Sequence, residues 1–125
     1  MKLRMNYIIA DPDEQSGNDL RIILDDYEML KFQGSYTTLE LAEHSIRRAI
    51  PDVAFIRIGK PELNAFMLTG AVRGLSPISK VIFLSNNEEY AVDAFEYAAD
   101  GFLLIPFDRG KIEHLLLRII ERRRV

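Results

Sequence analysis

The sequence predicts a doubly wound α/β domain, a parallel five-stranded sheet covered by helices on both faces. Three observations predict it. Short apolar runs alternate along the chain with stretches of helical apolar spacing. The apolar runs are nearly continuous, as expected of strands buried on both faces. The length of 125 residues, with 48% hydrophobic and 28% charged residues, suits one domain around one continuous core.

Tyr7-Ile8-Ile9-Ala10 is a short apolar run ending at the acidic turn Asp11-Pro12-Asp13-Glu14, and it reads as a buried first strand. Leu20, Ile23, Leu24 and Tyr27 fall three and four apart and give a first helix one apolar face. Phe32 to Thr37 is the second strand. Thr37 followed three residues later by Glu40 has the form of a capping box, and Leu39, Ala42, Ile46 and Ala49 continue at helical spacing until Pro51 stops the helix.

Val53-Ala54-Phe55-Ile56-Arg57-Ile58 is the third strand, with its single charged residue near its end, and Gly59-Lys60-Pro61 turns the chain. Leu63, Phe66, Met67 and Gly70 predict a third helix ending around Gly74. Lys80 to Ser85 is the fourth strand, and Asn86 or Asn87 caps a fourth helix running to about Ala99. Gly101 to Ile105 is the fifth strand, closed by Pro106, which cannot continue a central ladder. Asp108 is a natural N-cap for the last helix, whose apolar face is Ile112, Leu115, Leu116, Ile119 and Ile120.

Composition excludes several classes. There is no cysteine, hence no disulfide framework, thiolate metal site or thiol nucleophile. Met1 to Asn6 is too short and too charged for a signal peptide, and no apolar run approaches a membrane span, so a cytoplasmic protein is expected. A net charge of −3 is too small to imply a nucleic-acid or membrane surface for the domain as a whole. Only Arg122-Arg123-Arg124 is locally basic, and residues 121–125 read as the start of a linker to a further C-terminal domain.

Functional residues of open parallel sheets collect beyond the carboxyl ends of the strands. There the chain places Asp11 to Glu14, Arg57, Ser85 and Ile105. His44 and His114 fall on separate helices without acidic partners at ligand spacing, which argues for surface residues over a metal or catalytic pair. No Ser, His and Asp arrangement suggests a hydrolase.

Over nearly its full length the chain resembles a response-regulator receiver domain, most closely those attached to LytTR-type DNA-binding domains. The resemblance rests on Tyr7 to Asp11, Pro51 to Ile56, Pro61, Tyr90 to Phe95 and Phe102 to Asp108, in that order and spacing. It implies a flavodoxin-like (βα)5 fold. It also implies an acidic pair after the first strand to hold Mg²⁺, an aspartate ending the third strand as phosphoryl acceptor, a hydroxyl after the fourth and a lysine in the fifth. Here Asp11 occupies the first acidic position, the second matches Pro12, and Asp13 lies where a further acid often does. The acceptor position reads Arg57, the hydroxyl is kept as Ser85, and the lysine position reads Ile105.

Mg²⁺ takes hard oxygen ligands, whereas a guanidinium offers only donors that do not deprotonate. At about 4 Å and an effective dielectric of roughly 20, each unit-charge pair interacts by about 4 kcal/mol, so Arg57 repels a divalent cation. Asp52 cannot substitute as acceptor. It lies an odd number of residues before Arg57, on the other face and about 16 Å away.

The expected function is therefore that of a non-enzymatic, phosphorylation-independent pseudo-receiver, with no cofactor and no Mg²⁺. Its expected partner is another protein or a second copy of itself, and DNA would be reached only through a further domain. Arg57 is expected to pair with Asp11 or Asp13 in place of metal and phosphate. The resemblance makes Phe102 the switch-aromatic position and directs dimerisation to the fourth helix, fifth strand and fifth helix, where Tyr90, Phe95, Tyr97 and Phe107 supply aromatic surface. Two alternatives stand beside this reading: a phosphoreceiver whose acceptor has moved to Asp11 or Asp13, and a sensor binding an anionic small molecule at Arg57.

Overall fold

The computed structural model of the chain describes residues 4–124, with side chains through residue 120. In chain order the elements are β1 (Met5–Ala10), α1 (Glu14–Leu24), β2 (Leu30–Tyr36), α2 (Leu39–Arg48), β3 (Val53–Arg57), α3 (Ala65–Leu75), β4 (Lys80–Ser85), α4 (Ala91–Glu96), β5 (Gly101–Leu104) and α5 (Arg109–Arg124). A single 3-10 turn, Glu88–Tyr90, leads into α4. All strand pairs are parallel and the sheet order is β2-β1-β3-β4-β5, so β2 and β5 are the edges.

Strand alternation divides the core in two. Tyr7, Ile9, Val53, Phe55, Ile82, Leu84 and Leu103 point to one face and pack under α1 and α5, through Leu20, Leu24, Ile112 and Leu116. Ile8, Ala10, Ala54, Ile56, Val81 and Phe83 point to the other and meet Ala42, Ile46, Leu68, Val72 and Ala94 of α2, α3 and α4. Each central strand is thus apolar on both faces, which is why its sequence is an unbroken apolar run.

Three sequence expectations are corrected. The cap of α2 is Thr38, not Thr37: its hydroxyl accepts from the Leu41 N–H at 3.2 Å. The inward face of α3 is Ala65, Leu68, Thr69 and Val72, while Phe66 and Met67 are 38% and 52% exposed. Apolar residues surround α3 on all sides, so spacing alone could not choose its face. The fourth helix ends at Glu96 and not near Ala99, because Ala98 turns to φ 53° and carries the chain back to β5. The fifth helix runs from Arg109 to Arg124, and Val125 lies outside the described residues.

β2 carries an irregularity. Tyr7 pairs with Phe32 but Ile8 with Gly34, leaving Gln33 as a bulge residue whose side-chain amide donates to the Ala49 carbonyl at 2.6 Å. No helix among the described residues is long and apolar enough to cross a membrane.

Candidate functional site

The register of the two central strands builds the site. β1 and β3 pair in parallel with Ala10 opposite Ile56, so the next residues, Asp11 and Arg57, fall side by side on the same face. Adjacent strands lie about 4.8 Å apart, within reach of a guanidinium and a carboxylate. Arg57 Nη1 donates to Asp11 Oδ2 at 3.1 Å and Oδ1 at 3.3 Å. Both groups are enclosed, Arg57 at 3% exposure and Asp11 at 2%. A buried charge of either sign is costly alone, and each here neutralises the other.

Of the two carboxylates expected to compete for Arg57, the structure selects Asp11. Asp13 is engaged elsewhere, because its side chain accepts from the Gln15 and Ser16 N–H groups at 3.1 and 3.3 Å and caps α1. Asp11 Oδ1 also accepts from the Asp13 N–H at 2.9 Å, which ties the β1–α1 turn to the ion pair. Pro12 sits between them and offers no ligand atom from its side chain. Asp52 lies at the far end of β3, where its carboxylate accepts from the Asn6 N–H at 2.8 Å.

Ser85 ends β4 on the opposite face from Arg57 and is 1% exposed. Its Oγ accepts from the Asn87 N–H at 3.0 Å, closing the turn that leads to α4. Ile105 packs against the core beneath α1 and α5, and its N–H donates to the Ser85 carbonyl at 2.8 Å. It presents an alkyl chain at the position where the resemblance called for a lysine. Phe102 is half-buried against the core on the other face.

These groups do not fit Mg²⁺. Arg57 directs donors at both oxygens of Asp11, Asp13 is engaged by backbone N–H groups, and no cluster of three metal-ligating side chains exists among the described residues. The same pair disfavours an anion at Arg57, since its guanidinium is enclosed and already faces a carboxylate. His44 and His114 are both exposed, on α2 and α5.

The four aromatics expected at a partner surface have different fates. Tyr90 packs against the core beneath α3 and Phe107 against the core beneath α5, both partly buried. Tyr97 stacks on Phe66 of α3 at 4.1 Å between ring centroids. Phe95 alone of the four stands clear, at 86% exposure. Sequence reasoning missed Arg73, whose Nη1 and Nη2 donate to the Tyr97 and Ala98 carbonyls at 2.5 and 2.6 Å and fasten the end of α4 to α3.

No protein-family model matches the chain. It is 28% identical over 118 residues to the transcriptional regulatory protein BtsR of Shigella flexneri, covering 93% of this chain and 48% of that one. It is 26% identical over 117 residues to the sensory transduction protein LytR of Streptococcus mutans, covering 92% and 48%. The chain therefore spans about half the length of the curated relatives it matches. Among solved structures, it superposes with a TM-score of 0.80 and 17% identity on the isolated REC domain of RcsB from Salmonella enterica, over 94% of this chain and 89% of that one. A putative response regulator from Chloroflexus aurantiacus gives 0.81 at 19% identity, over 94% and 98%.

Proposed function

We propose that this chain, a response-regulator receiver domain, is a pseudo-receiver that signals through protein contacts without being phosphorylated. The observation that carries the reading is the buried ion pair of Arg57 and Asp11, which places a cation in the acceptor position and engages the remaining metal-side carboxylate. Ile105 removes the group that would contact the phosphoryl oxygens.

Incubation with acetyl phosphate and Mg²⁺, followed by intact-mass measurement, should give no added phosphoryl mass, and beryllofluoride with Mg²⁺ should leave the amide spectrum unchanged. Stoichiometric phosphorylation would sink the reading. Peptide mapping of such a product to Asp11 or Asp13 would establish the relocated acceptor instead.

The partner surface we propose is the side of α4 turned away from α3, together with β5 and α5. Tyr97 and Arg73 mark the side of α4 clasped to α3; at 100° per residue, Val92 and Phe95 lie on the other side, 63% and 86% exposed. Beside them runs edge strand β5, and between β5 and α5 lies a hollow of about 440 Å³ lined by Phe102, Asp108, Lys111, His114 and Arg118. The α4 ridge brings Glu88, Glu89 and Glu96, whereas the hollow sets Lys111 and Arg118 against a single acid, Asp108. An apolar ridge with acidic flanks and a groove in which cations outnumber acids on one face are self-complementary under two-fold symmetry, which supports a homodimer. Sedimentation equilibrium should show a reversible dimer whose affinity falls with added salt. A strictly monomeric chain at high micromolar concentration would exclude it.

Relatives of about twice the length carry regulatory names, and we propose the same arrangement for the parent protein: this domain as the input half of a transcription regulator, with a LytTR-type DNA-binding half following it. Reading the parent gene past codon 125 tests it directly.

A further inference from the structure

We infer that the hollow beside the turn from β3 to α3 is a binding site for a small aromatic carboxylate. The hollow lies beyond the carboxyl end of β3, the side of an open parallel sheet where loops and helix starts form ligand crevices. Its volume is about 400 Å³, within the range of small-molecule sites.

The floor is apolar, formed by Ile58 and Leu63, which are 2% and 1% exposed. The walls are two aromatic rings, Tyr90 and Phe66. Both rings are held in place before any ligand arrives. The Tyr90 ring rests on Gly59, where an added Cβ would lie 2.7 Å from it, and Gly59 itself adopts φ +88°, a conformation that favours glycine. Phe66 is sandwiched by its stack on Tyr97 and an edge contact with Phe83 at 6.3 Å. Rigid rings lose little entropy on binding a planar guest, which is the advantage of a preformed site.

The polar groups at the mouth are donors. Lys60 carries an ammonium with no hydrogen bond or ion pair among the described residues. Asn64 accepts the Met67 N–H at 3.1 Å through its side-chain oxygen, capping α3, which leaves its NH₂ to donate. No carboxylate lines the hollow. Aromatic walls with one cation and one amide donor at the rim select a flat apolar body bearing an anionic acceptor. The site is separate from the Arg57–Asp11 pair and does not depend on the pseudo-receiver reading.

Indole-3-acetate serves as the probe and indole-3-acetamide as its neutral isostere, both titrated into the ¹⁵N-labelled chain. Saturable amide shifts are expected at Gly59, Lys60, Asn64 and Ala65, with an affinity of about 1 mM or tighter. The acetamide should bind about tenfold more weakly, and Lys60→Ala should weaken the acetate by about the same factor. Lys60 has no partner to lose, and a dispersed spectrum of the variant verifies its fold. The inference is overturned by failure to saturate at roughly 10 mM, by shifts centred elsewhere, by equal binding of acid and amide, or by unchanged affinity in Lys60→Ala.

Discussion

Two regions of this domain treat charge in opposite ways. At the carboxyl end of β1 and β3, Asp11 and Arg57 are enclosed and satisfy each other, and the neighbouring turn bonds to them. Across α4, β5 and α5, acids, bases and a bare phenyl ring face solvent with room to spare. An enclosed ion pair is stabilised chiefly by its own partner, whereas exposed complementary groups contribute little until a second surface desolvates them. The difference sets a self-satisfied pair in the first region against the proposed recognition surface in the second.

The largest expected effect breaks the first region. Arg57→Met strands the Asp11 carboxylate in the interior with only the Asp13 N–H for company, and should cost about 3–5 kcal/mol in urea unfolding. Asp11→Asn combined with Arg57→Met keeps an acceptor for Asp13 and removes both charges. That double variant should return to within about 1 kcal/mol of the parent. A double variant as unstable as the single one would show that the stranded charge is not the cause.

The second effect concerns another buried polar group on β1. The Tyr7 hydroxyl is enclosed without a hydrogen-bond partner, and its pKa is pushed up to about 12, first by burial and then by the nearby Asp25, with Arg21 opposing. Below about pH 10 the phenol is neutral in both folded and unfolded chains. Between about pH 10 and the native value the unfolded chain releases its proton while the native chain keeps it, so stability falls as pH rises. The loss should approach about 2 kcal/mol relative to Tyr7→Phe, whose stability lacks this component. At neutral pH Tyr7→Phe should be neutral or stabilising by about 1 kcal/mol, because the hydroxyl it removes had no partner. A clear destabilisation at neutral pH would imply a bond to the hydroxyl.

Much of this was legible in the sequence, for physical reasons that differ by residue. Unbroken apolar runs revealed the central strands, since parallel strands here are buried on both faces. Arg57 stood out because it is the sole charge in such a run. Its partner was not legible: Asp11 and Asp13 differ only in strand register and in the backbone N–H groups that claim Asp13. The inward face of α3 was hidden because Phe66 and Met67 are as apolar as Leu68 and Val72. The early end of α4 depends on Arg73 and Phe66, residues more than twenty positions away that no local pattern connects to it.

A smaller effect separates the two acids after β1. Asp13→Ala should remove the cap of α1 and cost about 1 kcal/mol, well below the Arg57→Met loss. Mg²⁺ should leave the melting temperature of the parent and of Asp13→Ala equally unchanged. A Mg²⁺-dependent rise that disappears with Asp13 would mean that this carboxylate binds the ion and is not only a cap.

The smallest effect on stability, and the sharpest test of the contrast, falls on Phe95. Its side chain is 86% exposed, so burying it contributes almost nothing to the fold of a single chain. Phe95→Ser should therefore change unfolding free energy by less than about 0.5 kcal/mol. In a dimer the same ring would be desolvated against the groove between β5 and α5 of the other copy, where a central aromatic is worth about 2 kcal/mol or more. Self-association measured by sedimentation should accordingly weaken by a factor of about 30 while the melting curve of the dilute chain stays in place. If the monomer is destabilised instead, Phe95 belongs to the core; if neither quantity moves, the recognition surface lies elsewhere on the domain.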